Sequence, residues 1–178
     1  MSEDILNKMC NYIISWLNHT KEGHPRQEND LILFDRLWLY LSGTIKKLQK
    51  QVEPLSEQEK DIIKMIKYEG TLYRIHKKYK NGKNHYGVHQ TEHYVSWTKT
   101  NNFNDLYWLN KNMNFLTLTA KTSPELFAID LIGFTDLINK YCDPGFSIGS
   151  PAIFREQEVV FPIKYATIID MTPNKWID

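Results

Sequence analysis

Two cysteines in a chain of 178 residues exclude a disulfide framework. Cys10 and Cys142 each sit among apolar residues at helical spacing, and no CxxC pair exists, so both read as small buried hydrophobes and not as zinc ligands. An excess of charge of one sign is also missing. With 22 basic and 21 acidic residues the formal net charge is +1, so overall charge gives no argument for nucleic acid or a membrane surface, and such binding would need a local patch. No stretch reaches the roughly 18 uninterrupted apolar residues of a membrane span. Glu3 and Asp4 open the sequence with no long apolar region behind them, which speaks against a signal peptide. The expectation is a soluble, cytoplasmic protein of a reducing compartment, with no membrane partner. Internal repeats and low-complexity tracts are absent too.

What is present suits one globular domain: 42% hydrophobic residues for a core and 24% charged residues for a surface. The chain changes texture near residue 70. Residues 2 to about 69 read as helices. Ser2 caps a first helix with Ile5, Met9, Ile13 and Trp16 on one face. Lys21 to Asn29, with Gly23 and Pro25, reads as a polar loop. Asp30 starts a second helix carrying Leu33, Leu37, Leu41, Thr44, Ile45 and Leu48. Pro54 breaks it, and Ser56 with Glu59 is a capping-box signature for a third helix with Ile62, Ile63 and Ile66 inward. From Thr71 the period shortens. The predicted strands are Leu72–His76, His93–Thr98, Asn114–Thr119, Leu126–Leu131, Glu158–Pro162 and Tyr165–Asp170, with short helices at Asn102–Leu109 and Thr135–Tyr141 and a turn at Asp143-Pro144-Gly145. The fold class is therefore α+β, with a helical lobe over residues 1–69 packed on a mainly antiparallel β-rich core over 70–178, as one compact domain.

Three features of the strand-rich part carry chemistry. Arg74, in Thr71-Leu72-Tyr73-Arg74, is a guanidinium fork inside a short apolar strand, suited to phosphate or a ribose-linked oxygen. In Tyr94-Val95-Ser96-Trp97-Thr98, strand alternation puts the Ser96 and Thr98 hydroxyls on one face. In Phe154-Arg155-Glu156-Gln157-Glu158-Val159-Val160-Phe161-Pro162, two carboxylates spaced by one residue run into an apolar strand. An extended backbone would place Glu156 and Glu158 on one face, roughly 6 to 7 Å apart at Cα, and like charges that close raise one pKa. His85, His89 and His93 are spaced by four, but Gly82 and Gly87 argue against a helix presenting them, so no metal site is expected.

An aromatic-flanked Arg on a first strand, a Ser-x-Thr strand and a Glu-x-Glu-Val entry to an apolar strand, in that order, resemble the R-S-E pattern of the ADP-ribosyltransferases, in the arginine-type branch that includes bacterial toxins and phage-encoded enzymes. The resemblance covers about residues 70 to 172 and is strongest at Glu156-Gln157-Glu158-Val159-Val160-Phe161-Pro162. Trp97 and Thr98 stand where the family's middle motif usually continues Thr-Ser, while Ser96 is kept.

The resemblance implies an ADP-ribosyltransferase-like core and a mono-ADP-ribosyltransferase with NAD+ as substrate and no metal. Glu158 would stabilise the oxocarbenium ion and Ser96 would hold Glu158. Arg74 would grip the diphosphate or adjacent ribose, with Tyr73 and Thr98 completing the NAD+ site. Glu156 would activate the nucleophile. Phe154 would touch a protein or nucleic-acid target, as would Lys77, Lys78 and Lys80 in the basic, aromatic-interleaved stretch from Arg74 to Tyr86. A toxin or phage-defence role with an antitoxin or inhibitor partner would fit that branch. Three other functions stay open: an NAD+ glycohydrolase built on the same constellation, a non-catalytic nucleic-acid-binding module built on the basic stretch, and a catalytically silent member of the fold that binds a partner protein.

Overall fold

The computed structural model describes residues 28–77, 94–101, 115–147 and 151–170, together with residue 11, which is helical. The elements are α1 (Glu28–Gln49), α2 (Glu57–Ile66), β1 (Lys67–Tyr68), β2 (Thr71–Lys77), β3 (Tyr94–Thr98), β4 (Phe115–Lys121), β5 (Ala128–Asp130), α3 (Leu131–Tyr141), α4 (Pro151–Glu156), β6 (Glu158–Pro162), a 3-10 turn (Ile163–Tyr165) and β7 (Thr167–Asp170). The seven strands form one antiparallel sheet in the order β1-β5-β6-β3-β2-β4-β7, so the fold is α+β. None of the described helices is long and apolar enough to cross a membrane.

The helices form for reasons written in their ends and stripes. In α1 the buried residues Leu37, Trp38, Leu41 and Ile45 make one stripe at helical spacing, while Leu39 and Tyr40 point outward. Lys46 and Lys47 sit in its last turn, where the helix dipole favours cations. The capping box of α2 is present in both directions: Ser56 N–H donates to Glu59 Oε2 at 2.8 Å and Glu59 N–H donates to Ser56 Oγ at 3.2 Å. Ile62 and Ile66 are buried below it, and Ile63 is half-buried.

One face of the sheet lies under the helices. Its core joins Leu37, Trp38 and Ile45 of α1, Ile62 and Ile66 of α2, Phe134, Leu137 and Ile138 of α3 and Ile153 of α4 to Phe127, Ile129 and Val160 of the sheet side. The other face gathers Leu72, Trp97, Leu118, Ala120, Ala128, Val159, Phe161 and Ile163 into a second core. Trp97 fixes that second core by donating its indole N–H to the Phe161 carbonyl at 3.1 Å. Polar contacts tie helix to sheet and helix to helix. The Asp35 carboxylate of α1 accepts the Tyr94 N–H of β3 at 2.8 Å. On α2, Asp61 accepts the Tyr141 hydroxyl at 2.6 Å and the Lys140 ammonium, both from α3. Gly133 lets α2 and α3 meet: a Cβ there would lie 1.6 Å from the Met65 carbonyl oxygen.

Several expectations need correction. The change from helix to strand comes at Lys67, so the supposed helical lobe of 1–69 already contributes β1 to the sheet. The helix expected at 135–141 begins at Leu131. Asp130 caps it, accepting the Ile132 and Gly133 N–H groups, so the predicted strand 126–131 stops at Asp130. Tyr165 belongs to a 3-10 turn and not to the last strand. The backbone at Glu156, expected to be extended, ends a helix over Pro151–Glu156, with Pro151 at the first helical position. Cys142 is half-buried against the helical core, not fully buried. The first helix beyond residue 11, the helix expected at 102–109, Cys10 and His85, His89 and His93 lie outside the described residues.

Candidate functional site

Arg74, Ser96 and Glu158 come from distant parts of the sequence and arrive on three neighbouring strands, β2, β3 and β6. The β3–β6 ladder sets Thr98 opposite Glu158 and Ser96 opposite Val160. The β2–β3 pairing then adds Tyr73 opposite Thr98. Opposed residues in antiparallel strands project to the same face. Glu158, Thr98 and Tyr73 therefore form one row across three strands, and Ser96 lies on the same face one step along β3.

Burial separates these groups. Glu158 is 6% exposed and Thr98 5%, whereas Ser96 and Tyr73 are half-buried. A glutamate that deep is rare unless a partner or a task retains it. The resemblance assigned Ser96 to hold Glu158; register gives the opposing position to Thr98. Thr98 Oγ1 accepts the Thr100 N–H at 3.1 Å, which bends the chain away at the end of β3.

Arg74 alternates with Tyr73, so its Cβ lies on the face of Leu72 and Leu118, opposite to Glu158. Its guanidinium nevertheless reaches β3, where Nη1 donates to the Ser96 carbonyl. Continuing the register of Tyr73 and Thr98 would bring Ile75 opposite Ser96, yet that rung is not formed and the guanidinium takes the carbonyl. Arg74 thus bridges the place where β2 and β3 part.

The two glutamates do not share an extended run. Glu156 ends α4, Gln157 adopts a left-handed backbone with φ of 46°, and Glu158 opens β6. Such a φ costs a non-glycine residue about 1 kcal/mol or more. The expected common strand face of Glu156 and Glu158 is therefore replaced by a helix-to-strand corner. Phe154 is 48% exposed on the same short helix, so it is available to a partner and not tucked into the core. Lys77 ends β2. Lys78, Lys80 and the rest of the basic stretch to His93 lie outside the described residues.

The sequence reading missed the surroundings of this corner. The Lys99 N–H donates to the Gln157 carbonyl at 3.2 Å. Its ammonium lies 2.7 Å from Asp130 Oδ2 and 5.5 Å from the centre of the Tyr68 ring. Burial, then the Asp130 charge and Tyr73, push the Tyr68 hydroxyl above its usual pKa. Asp130 before Leu131-Ile132-Gly133 was a legible cap signal, whereas nothing in the sequence announces its pairing with Lys99. No protein-family model, no curated protein and no solved structure matches the chain, so the site is read from its own geometry.

Proposed function

We propose that the chain is a mono-ADP-ribosyltransferase with an ADP-ribosyltransferase-like core, acting on NAD+. One observation carries this reading: the arginine, hydroxyl and glutamate segments that resemble the family's motifs occupy three adjacent strands, with Arg74 bonded to the Ser96 carbonyl and Thr98 opposite buried Glu158.

In the proposed reaction the bond between nicotinamide and ribose C1 breaks, and nicotinamide leaves with the electron pair, which neutralises its ring charge. The ribose is left as an oxocarbenium ion. Glu158 stabilises that charge from a shielded position, where a fixed carboxylate acts more strongly than in water. Thr98 orients Glu158. Tyr73 offers a ring and hydroxyl on the same face, and the Arg74 guanidinium, which starts from the opposite face and reaches the Ser96 carbonyl where β2 and β3 part, brings positive charge for the diphosphate. A target nucleophile then bonds to C1, and Glu156 takes its proton. Phe154 meets the target, whether protein or nucleic acid.

A second reading, NAD+ glycohydrolase, gains support from the corner at Gln157. Glu156 leaves the strand there, and water needs less orientation than a guanidinium or base amine.

The test is nicotinamide release from NAD+ by the purified chain, followed by chromatography, with labelled NAD+ and cell extract to catch transfer. Glu158→Gln is expected to lower the rate on the order of a hundredfold or more with unchanged circular dichroism. Full turnover by folded Glu158→Gln would end the assignment.

A further inference from the structure

We infer that Lys99 and Asp130 are positioning residues that clamp the corner carrying Glu156 and Glu158. The catalytic consequence rests on the transferase reading; the clamp rests on the bonds themselves. The Lys99 N–H to Gln157 carbonyl bond is one rung beyond the Thr98–Glu158 pair, and it is the last before the chain turns away at Thr100. Terminal rungs open first unless something else holds them. Here the side chain does so. Lys99 Nζ bonds Asp130 Oδ2 at 2.7 Å, and the two side chains are only 18% and 15% exposed, so solvent and salt screen the pair weakly. Asp130 cannot swing to follow a moving lysine. Its other oxygen accepts the Ile132 and Gly133 N–H groups at 3.0 and 3.2 Å, and Gly133 is pressed against the Met65 carbonyl of α2.

A bonded path thus runs from the α2–α3 contact through Asp130 and Lys99 to Gln157. Gln157 is the residue that needs holding. Its φ of 46° is unfavourable for glutamine, and its N–H makes only a long bond, 3.4 Å, to the Phe154 carbonyl. Glu158 is fixed in the ladder with β3 and Glu156 is not. Relaxation at Gln157 would therefore rotate Glu156 relative to Glu158 and change their separation.

The experiment compares the full chain with Lys99→Met, Lys99→Arg, Asp130→Asn and the double variant Lys99→Met with Asp130→Asn. Asparagine caps a helix about as well as aspartate, so Asp130→Asn removes the ion pair and keeps the cap. Amide hydrogen exchange over residues 155–159 and steady-state NAD+ cleavage are both measured. Lys99→Met is expected to speed exchange there about tenfold and to lower kcat about tenfold, with KM for NAD+ within about twofold of wild type. Lys99→Arg should restore most of both, and the double variant should be no worse than either single one. A merely structural role would reduce the folded fraction without changing kcat per folded molecule. Unchanged exchange over 155–159 in Lys99→Met overturns the clamp. Faster exchange with unchanged kcat overturns the positioning role. A wild-type chain that cleaves no NAD+ overturns the transferase reading, and faster exchange in the same set still upholds the clamp.

Discussion

Thr98 on β3 stands directly opposite Glu158 on β6, and both side chains are buried. Thr98 Oγ1 already accepts the Thr100 N–H, and a hydroxyl has one proton to donate. Thr98→Val should therefore lower kcat for NAD+ cleavage by roughly ten- to a hundredfold, the worth of a hydrogen bond to a charged group. Ser96→Ala, opposite Val160, should cost less. Initial rates of nicotinamide release decide between them, and a larger loss from Ser96→Ala would return the supporting role to Ser96.

Glu156 is separated from Glu158 by the corner at Gln157, so the two can be assayed apart. Glu156→Gln should lose transfer to the target while keeping measurable NAD+ hydrolysis. Free ADP-ribose is followed by chromatography and transferred label by gel on one preparation. Normal transfer by the variant would remove Glu156 from the nucleophile's side, and equal loss of both activities would give it a share in the bond that breaks.

Gly133→Ala should destabilise the fold. The added methyl would collide with the Met65 backbone, which is not a flexible side-chain end that can step aside. Overpacking of this kind is expected to cost about 3 kcal/mol or more. For a chain of this size that lowers Tm by roughly 6 to 12 °C in a thermal melt. An unchanged Tm would mean that α2 and α3 do not approach as described.

The Asp61 cluster predicts a pH dependence with a definite sign. Hydrogen bonds from Lys140 and then Tyr141 hold the Asp61 carboxyl below its usual 3.8, against a smaller opposing effect of burial. The bond to Asp61 likewise raises Tyr141 above 10.0 and Lys140 above 10.5. The stability due to the cluster is therefore present in full between pH 3.8 and 10.0. It is lost as pH falls through the lowered Asp61 value, and again as pH rises through the raised values of its partners. The Tm difference between wild type and Asp61→Asn should be constant across that window and shrink outside it. A difference that persists at pH 2 would show that the carboxylate charge is not what joins the helices.

Much of the architecture was legible where one physical signal dominates. Ser56 and Glu59 named the start of α2 by reciprocal capping, and Glu158–Pro162 was read to the residue because a charged entry and a proline exit bracket an apolar run. Reading failed where two signals competed. The predicted strand 126–131 ran through the cap at Asp130 because apolar residues flank it on both sides, and the contact of Gly133 with the Met65 backbone has no local trace. Sidedness was the deeper gap. Alternation within a strand is local, but whether Ser96 or Thr98 faces Glu158 depends on register between residues some 60 positions apart. The Lys99–Asp130 pair is a tertiary contact of the same kind, with no local trace.

The sheet order also has a consequence for how the chain assembles. β6 alone joins the β1–β5 pair to the β3-β2-β4-β7 block, because β5 and β3 are neighbours only through it. Before residues 158–162 pair, the strands can form two separate ribbons, with Trp97, Ala128 and Ile129 exposed along unsatisfied edges. Insertion of β6 between β5 and β3 closes both edges at once and completes both cores, through Val160 on one face and Val159 and Phe161 on the other. Such late, non-local closure slows folding and leaves sticky intermediates. The strand that delivers the proposed catalytic glutamate is thus also the keystone of the fold, so a chain that fails to seat it loses its shape and its chemistry in the same event.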